Sequence, residues 1–332
     1  MALHAVDDLT DAFDATRSFL FPFEWGTWLR LALLSLFVSG SSGGGASPSN
    51  SFQYTMDSGT FPNGFSWNAP TGPGTFVNTY LPIIVAIVVA IFVVVLVLAW
   101  ISSVFEFSFV ESIRQEEVHV RQYFGQHRGR GTRLFLFRLL FGLVIFALVI
   151  VGLVLALAPV IIGNDPTPLL FLVALLPFLI LFGIVASIVY VFTTAFVVPI
   201  MMIEDRGVLS GWRRLLGLVR EQWEQFLVFV LVGLFLMIGI GIVIGLASIA
   251  AAIIVAIPFA LVFVAAVAAG VNAFNLVLIA VLGIPFVLVM LVVGALIQVP
   301  VQSYLRYWSL LILGDVDSDL DLIPDQRAAV RE

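Results

Sequence analysis

The chain has 332 residues, of which 61% are hydrophobic and 11% are charged, and its formal net charge is −6. An ordinary soluble domain carries about 45–50% apolar and about 25% charged residues, so this composition excludes a soluble protein and indicates one integral membrane domain over residues 1–332. The absence of cysteine excludes disulfides and thiolate metal sites. Every one of the 15 basic residues is arginine.

Residues 1–24 form an amphipathic N-terminal segment. A cleavable signal peptide begins with positive charge and has a short apolar core, whereas MALHAVDDLTDAFDATRSFL is acidic before any apolar run starts. We therefore expect this segment to be retained. Val6, Leu9, Phe13 and Leu20 fall near one helical face with most of the aspartates off it, which predicts a helix lying on the membrane surface.

Long apolar runs predict an all-α fold, a polytopic transmembrane bundle of about six spans. Each run supplies the roughly 20 residues that cross the hydrocarbon layer, except the first, where LALLSLF is followed directly by VSGSSGGG. The outer end of that first span is expected to rest against other helices or near the interface. The predicted spans are Trp25–Gly44, Leu81–Val104, Leu139–Ile161, Leu169–Val197, Phe226–Leu246 and Leu276–Val299.

The distribution of arginine predicts the orientation of the bundle. Arginines cluster at 114–133 and 206–220 and occur in both terminal segments, whereas the 40–78 loop and the connection around Asp165 contain none. This positive-inside pattern predicts a multi-pass protein of the cell membrane with both termini in the cytoplasm. An even number of crossings follows, so residues 248–274 are either a helix extension or a re-entrant pair broken near Pro258.

The connecting segments differ in character. Residues 40–78 predict an extracytoplasmic loop rich in Gly, Ser and Asn, 112–133 and 205–223 predict cytoplasmic interfacial segments, and 313–332 predict an acidic cytoplasmic tail. In 205–223, an apolar face that contains Trp212 and Trp223 lies opposite Arg213 and Arg214. This pattern fits either an amphipathic helix at the lipid headgroups or a linker helix that covers the ends of the bundle.

A weak internal repeat accompanies these segments. FVESIRQEEVHVRQYFGQHRGRGTRLF, residues 109–135, aligns with residues 196–223 after a one-residue insertion, and ATRSFLFPFEWGTW and VPVQSYLRYW resemble parts of the same unit. The alignment predicts three tandem helical hairpins, each preceded by an amphipathic interfacial helix. Chance similarity between unrelated apolar hairpins is the alternative.

Four stretches resemble a known family: TRSFLFPFEWGTWLRLALLSLF, GRGTRLFLFRLLF, residues 196–223 and YLRYWSLLILGDVDSDLDLI. Together they resemble a haloarchaeal family of uncharacterised multi-span membrane proteins, which is distantly similar to the membrane domain of some glycerophosphodiester phosphodiesterases. The lack of lysine and the sequence pI of about 5.0 fit a halophile. The resemblance implies no activity, because the catalytic barrel of those phosphodiesterases has no counterpart here.

Catalytic and metal-binding motifs are missing from the sequence. His4, His119 and His127 have no second histidine at ligand spacing, and there is no Gly-rich phosphate loop or nucleophile elbow. We therefore expect no enzymatic activity, no cofactor, no metal ion and no nucleic-acid partner.

Charges at the membrane boundary are the candidate functional groups. Glu106 and Arg138 lie at the cytoplasmic ends of consecutive spans, where each is costly if unpaired, so we expect them to pair. Arg30 has a similar position in the first span. Either these charges fix the depth of the helices, or Arg30, Arg138 and Arg213 form a basin for anionic headgroups, because Arg forks match phosphate oxygens.

The sequence favours a non-enzymatic protein that organises the membrane or associates with membrane lipids. A transporter or permease for a lipid or small apolar solute is the alternative, although spans two to six carry no ionisable residue at their centres. A membrane enzyme would need a convergent acid, base or metal site. The candidate headgroup or interfacial residues are Arg30, Arg138, Trp212, Arg213, Arg214 and Trp223, with Glu106 as a structural boundary charge.

Overall fold

A computed structural model describes residues 4–41, 73–163, 168–268 and 273–331. Within these ranges the chain is helical and contains no strand, which confirms the predicted all-α bundle. A π-helical turn, Thr193–Val197, joins α5 to α6 without a break, and a 3₁₀ turn, Ser318–Leu320, precedes α10. The helices are α1 (His4–Leu20), α2 (Trp25–Ser41), α3 (Pro73–Gln115), α4 (Val120–Gly163), α5 (Pro168–Phe192), α6 (Val198–Glu204), α7 (Val208–Glu221), α8 (Trp223–Ala268), α9 (Ala273–Val316) and α10 (Pro324–Arg331).

In the described ranges, five helical segments are long and apolar enough to cross a membrane. They lie in α3, α4, the continuous segment from α5 to α6, α8 and α9, and they coincide with five of the predicted spans. The first predicted span corresponds to α2, whose 17 residues extend about 25 Å, slightly less than the ~30 Å hydrocarbon layer. The chain is a multi-pass membrane protein.

Residues 248–268 continue the fifth predicted span. α8 has 46 residues and passes through Pro258 without interruption, so its length is about 69 Å, more than twice the hydrocarbon thickness. Of the two interpretations of 248–274, the helix extension therefore holds for the described part, and a re-entrant break near Pro258 does not. Residues 269–272 lie outside the described ranges.

Buried side chains concentrate at one end of the bundle. Along α3 the side chains from Leu81 to Leu98 are mostly exposed, whereas burial begins at Ser102, and along α9 it begins at Ala295. Helices α1, α2, α7 and α10 complete this packed end, which we call the cap. The exposed apolar parts of the long helices extend from the cap, as expected for surfaces that lipid covers.

A glycine allows α3 and α4 to pack closely inside the cap. A Cβ atom at Gly131 would lie 2.7 Å from the Cα atom of Val104, which no side chain could tolerate. Nearby, the indole of Trp100 donates to Thr132 Oγ1 at 3.0 Å. Gly131 therefore fixes the crossing point of this hairpin.

Residues 112–133 differ from the predicted interfacial segment. Residues 112–115 end α3, Glu116 adopts a left-handed conformation with φ of 53°, and 120–133 are the first turns of α4. Because no proline interrupts this stretch, the helix runs directly into the span. Separate amphipathic helices thus precede only the first and third hairpins, as α1 and α7. Of the predicted 40–78 loop, residues 40–41 and 73–78 are helical, and the rest lies outside the described ranges.

The buried face of α1 coincides only in part with its predicted apolar face, because Leu20 is buried and Leu9 packs against the core. Asp8, Ala12 and Ala15 are buried, whereas Val6 and Phe13 are exposed. Helix α1 packs on α9, and its small alanine side chains let the two backbones approach closely. Val6 and Phe13 therefore point away from the protein, whereas Leu20 points into it.

Candidate functional site

A buried ion triad, formed by Glu106 on α3, Arg138 on α4 and Arg306 on α9, joins three long helices. Arg138 Nη2 donates to Glu106 Oε1 at 3.0 Å, and Arg306 Nη2 donates to Glu106 Oε2. The Glu106 side chain is fully buried, and those of Arg138 and Arg306 are only 12% and 5% exposed. The predicted pair of Glu106 with Arg138 is confirmed, and Arg306 is a third member that the prediction lacked.

A wide helical turn supplies further acceptors to both arginines. Arg138 Nη2 donates to Thr194 Oγ1 at 2.9 Å, and Arg306 Nη1 donates to the Thr194 carbonyl oxygen. In the π-helical turn the backbone N–H of Val198 bonds to the Thr193 carbonyl, and the next residue, Pro199, has no N–H to offer. The sequence VVP therefore leaves the Thr194 carbonyl available to Arg306.

The triad carries an excess positive charge. Two guanidinium groups face one carboxylate, and the Arg138 guanidinium also lies over the Tyr190 ring, 4.8 Å from its centroid. Buried charge is costly without a partner, so hydrogen bonds to Thr194 and the cation–π contact offset part of the cost. One further signal was available in the sequence: Arg306, like Arg138, interrupts an apolar run and therefore needs a partner for its charge.

A groove between α4 and α5 opens beside Arg138. Its volume is about 180 Å³, and Arg138 is its single charged lining residue among the described side chains. A Cβ atom at Gly142 would meet no atom within 4 Å, so space is open there as well. The other lining residues are Phe137, Phe141, Ile145, Ala186, Val189, Tyr190 and Thr193.

Helix α7 packs against the bundle with the face that contains Trp212. Val208, Gly211 and Leu215 are buried, and the Trp212 indole donates to Thr193 Oγ1 at 3.2 Å. A Cβ atom at Gly211 would come within 3.0 Å of the Val197 side chain, so this glycine permits the close approach. Trp212 therefore does not face the acyl boundary, and the linker-helix interpretation holds for this face.

A second stripe of α7 faces away from the bundle. Leu209, Arg213, Leu216 and Arg220 follow helical spacing and are exposed, Leu209 to 70%. We call these four residues the outward face of α7. Trp223, the first residue of α8, continues it and is 58% exposed. The outward face combines large apolar groups with arginine, as surfaces at a membrane boundary do.

The predicted basin of Arg30, Arg138 and Arg213 is not assembled. Arg30 donates to the Val118 carbonyl at 3.3 Å, next to the start of α4, whereas Arg138 lies about 27 Å further along that helix. Arg213 belongs to the outward face of α7. Arg214 is also engaged within the cap, because its Nη2 lies 2.6 Å from Asp317 Oδ2.

The C-terminal residues, predicted as an acidic tail over 313–332, are packed into the cap. Leu320, Leu322 and Ile323 are buried, and Arg327 pairs with Asp315 at 3.0 Å and with Asp321 at 3.3 Å. Apolar residues alternate with the aspartates in this segment. Its acidic composition therefore gave no sign that the apolar side chains between the aspartates are buried.

A terminal clasp, formed by Arg331 with Asp8, Asp11 and Asp315, ties α10 to α1 and α9. Arg331 contacts these carboxylates at 2.8 Å, 3.0 Å and 2.8 Å. Burial and, after it, the adjacent Asp315 carboxylate raise the pKa of Asp8 from 3.8 to about 7, against the attraction of Arg331. The hydrogen bond from Arg331 to Asp315 raises the pKa of Arg331. In the described parts of the chain, no group of three or more His, Cys, Asp or Glu residues is placed to hold a metal ion.

These features define a polytopic helical membrane protein with a charged cap at one end. The chain belongs to a family of unknown function, DUF7544, whose model matches residues 3–323. Comparisons with curated proteins and with solved structures gave no match.

Proposed function

We propose that this protein is a non-enzymatic, lipid-associated component that organises the membrane at the level of its cap. The observation that carries the proposal is the outward face of α7, where Leu209 and Leu216 are exposed beside Arg213 and Arg220. Among the described residues, Arg213 has no ion-pair partner. Apolar side chains beside free guanidinium groups suit the boundary between acyl chains and anionic headgroups.

The first hairpin repeats the same arrangement. Val6, Phe13 and Arg17 are exposed along α1, and Trp25, the first residue of α2, is 65% exposed. Each of the two amphipathic helices thus leads into a helix that begins with an exposed tryptophan, a residue suited to the headgroup level. The repetition supports a shared lipid-facing role for α1 and α7.

We also propose an orientation of the protein in the membrane and an origin for its family. We place the cap and both termini in the cytoplasm of a cell, because the arginines gather at that end. The family is proposed to be haloarchaeal and distantly related to the membrane domain of glycerophosphodiester phosphodiesterases, on the resemblance and on the lack of lysine. In molar salt the apolar groups of α1 and α7 would provide most of the lipid contact, because screening shortens the reach of charge.

The test is enrichment of anionic lipid around the reconstituted full-length protein. Vesicles of phosphatidylcholine with a small fraction of fluorescent phosphatidylglycerol report local enrichment by self-quenching. Each arginine near an anionic leaflet contributes about 1 kcal/mol, so the double variant Arg213→Gln with Arg220→Gln should lose most of the enrichment at low salt.

A matched charge change provides the control. Arg121→Gln with Arg128→Gln removes the same charge from the polar outward side of α4 and should leave most of the enrichment in place. Equal enrichment for the wild type and the α7 variant would reject the proposed role of α7.

A further inference from the structure

We infer that the groove between α4 and α5 binds one anionic phospholipid, with the lipid phosphate at Arg138 and an acyl chain along the groove. The inference deepens the proposed function and rests on its premise that membrane lipids are the partners. It concerns a second place on the protein, because the groove lies beside the ion triad and not on α7.

Charge complementarity selects the occupant. The triad holds two guanidinium groups and one carboxylate, so an excess positive charge lies at a weakly hydrated position. Arg306 is the more enclosed of the two arginines and donates to Glu106 and to the Thr194 carbonyl. Arg138 lines the groove, so an anion that enters from the lipid would meet this guanidinium. A phosphate oxygen accepts charge-assisted hydrogen bonds from a guanidinium, and these are among the stronger ones available.

The shape and lining of the groove favour an amphiphile over a free anion. Apart from Arg138, its lining consists mainly of apolar and aromatic side chains, including Phe141, Ile145 and Val189. An acyl chain is compatible with this surface, whereas inorganic phosphate would have to cross it without water. Helix α4 runs outward from the cap, and side chains on a helix lean toward its N-terminus. Arg138 therefore leans toward the cap, where a lipid headgroup lies.

The experiment titrates lipid onto the purified full-length protein and counts bound molecules by native mass spectrometry. Phosphatidylglycerol and phosphatidylcholine with identical acyl chains are the two probes. The wild type should retain one phosphatidylglycerol at least about tenfold more tightly than phosphatidylcholine, because the choline ammonium cancels the phosphate charge and is repelled by the excess positive charge of the triad.

Two variants test the site by different routes. Gly142→Leu fills the open space in the groove without touching the triad, and Arg138→Gln removes the guanidinium; each should weaken retention of phosphatidylglycerol about tenfold or more. Gly239→Leu on α8 is the matched control, because Gly239 also has no atom within 4 Å of a Cβ position, and it should retain phosphatidylglycerol like the wild type.

Several results would overturn the inference. Equal retention of both lipids by the wild type would remove the anionic requirement, and wild-type retention by Gly142→Leu would remove the groove. If Arg138→Gln does not fold, Gly142→Leu alone decides. Failure of this site is distinguishable from failure of the α7 role, since Arg213→Gln with Arg220→Gln leaves the groove intact.

Discussion

Arg306 and Glu106 form an ion pair although they are 200 residues apart in the sequence. The pair connects α9 to α3, and Arg138 adds α4 to the same carboxylate. One buried acid thus connects three helices. It lies at the level where the exposed apolar part of the long helices ends and the packed cap begins. Glu106 is thus the common ion-pair partner through which α3, α4 and α9 meet.

Glu106→Gln should therefore be strongly destabilising. Removal of one partner leaves uncompensated buried charge, which typically costs about 3–5 kcal/mol. The two single variants each lose unfolding free energy. The double variant Glu106→Gln with Arg138→Gln should lose less than the sum of these two losses, by more than about 0.5 kcal/mol. Thermal unfolding of the purified protein in detergent measures both quantities, and additivity of the two changes would contradict the triad.

An exposed ion pair in the same protein serves as the comparison. Arg130 and Asp205 approach to 2.9 Å, but the Asp205 side chain is 75% exposed. Solvent screening limits such pairs to about 1 kcal/mol or less. Asp205→Asn should shift the unfolding temperature far less than Glu106→Gln under the same conditions.

The terminal clasp should weaken as the pH rises. Burial and the Asp315 carboxylate raise the pKa of Asp8 to about 7 from 3.8, so the folded protein binds a proton that the unfolded chain has released at intermediate pH. The contribution of Asp8 is therefore fully present below about pH 4 and is lost as the pH rises through about 7. Asp11, Asp315 and Arg331 are the charged groups that face it.

Unfolding temperatures measured from pH 5 to pH 9 test this prediction. The wild type should lose stability across the interval, and Asp8→Asn should flatten the dependence because its amide cannot titrate. A wild-type profile that rises through neutral pH would contradict the assigned environment of Asp8.

The topology gives a prediction that does not depend on side-chain chemistry. Helix α10 is held within the cap, since Gln326 Nε2 donates to the Arg114 carbonyl at 2.9 Å. A reporter fused after Glu332 and one inserted near Gln126 should therefore be on the same side of the membrane, and under the proposed orientation that side is the cytoplasm. Reporters on opposite sides would show an odd number of intervening crossings.

The spans and the Glu106–Arg138 pair could be predicted because their signals are local. Uncharged runs identify the long helices, and two opposite charges at adjacent span ends each need a partner in lipid. The end of α8 was harder to predict, since Pro258 allows either a break or a continuous helix when neighbouring groups satisfy the freed carbonyl. Arg306 was missed because its partner is distant in the sequence.

The face of α7 that meets the bundle could not be read from its apolar pattern. Inside a membrane the protein and the acyl chains are both apolar, so periodicity shows that a face avoids water without showing what covers it. Trp212 suits either environment, and only the position of Thr193 decides that it points inward. Leu209 and Leu216, which break the apparent polar side of the helix, were the signal of the outward face.

The most direct test of the account is the depth of the outward face of α7 in the membrane. The chain contains no cysteine, so Leu216→Cys introduces a single site for a nitroxide spin label in the full-length protein. Gln126→Cys on the polar side of α4 and Leu231→Cys on the exposed apolar side of α8 provide the water and lipid standards. Accessibility to oxygen, which concentrates in lipid, is compared with accessibility to a water-soluble nickel chelate.

At low salt in vesicles that contain anionic lipid, we expect the label at Leu216 to be more accessible to oxygen than the label at Gln126. We also expect less nickel accessibility than at Gln126, with values between the two standards, as is typical of the headgroup boundary. A label at Leu216 with the same oxygen and nickel accessibility as the one at Gln126 would place α7 in water and contradict the lipid-associated function.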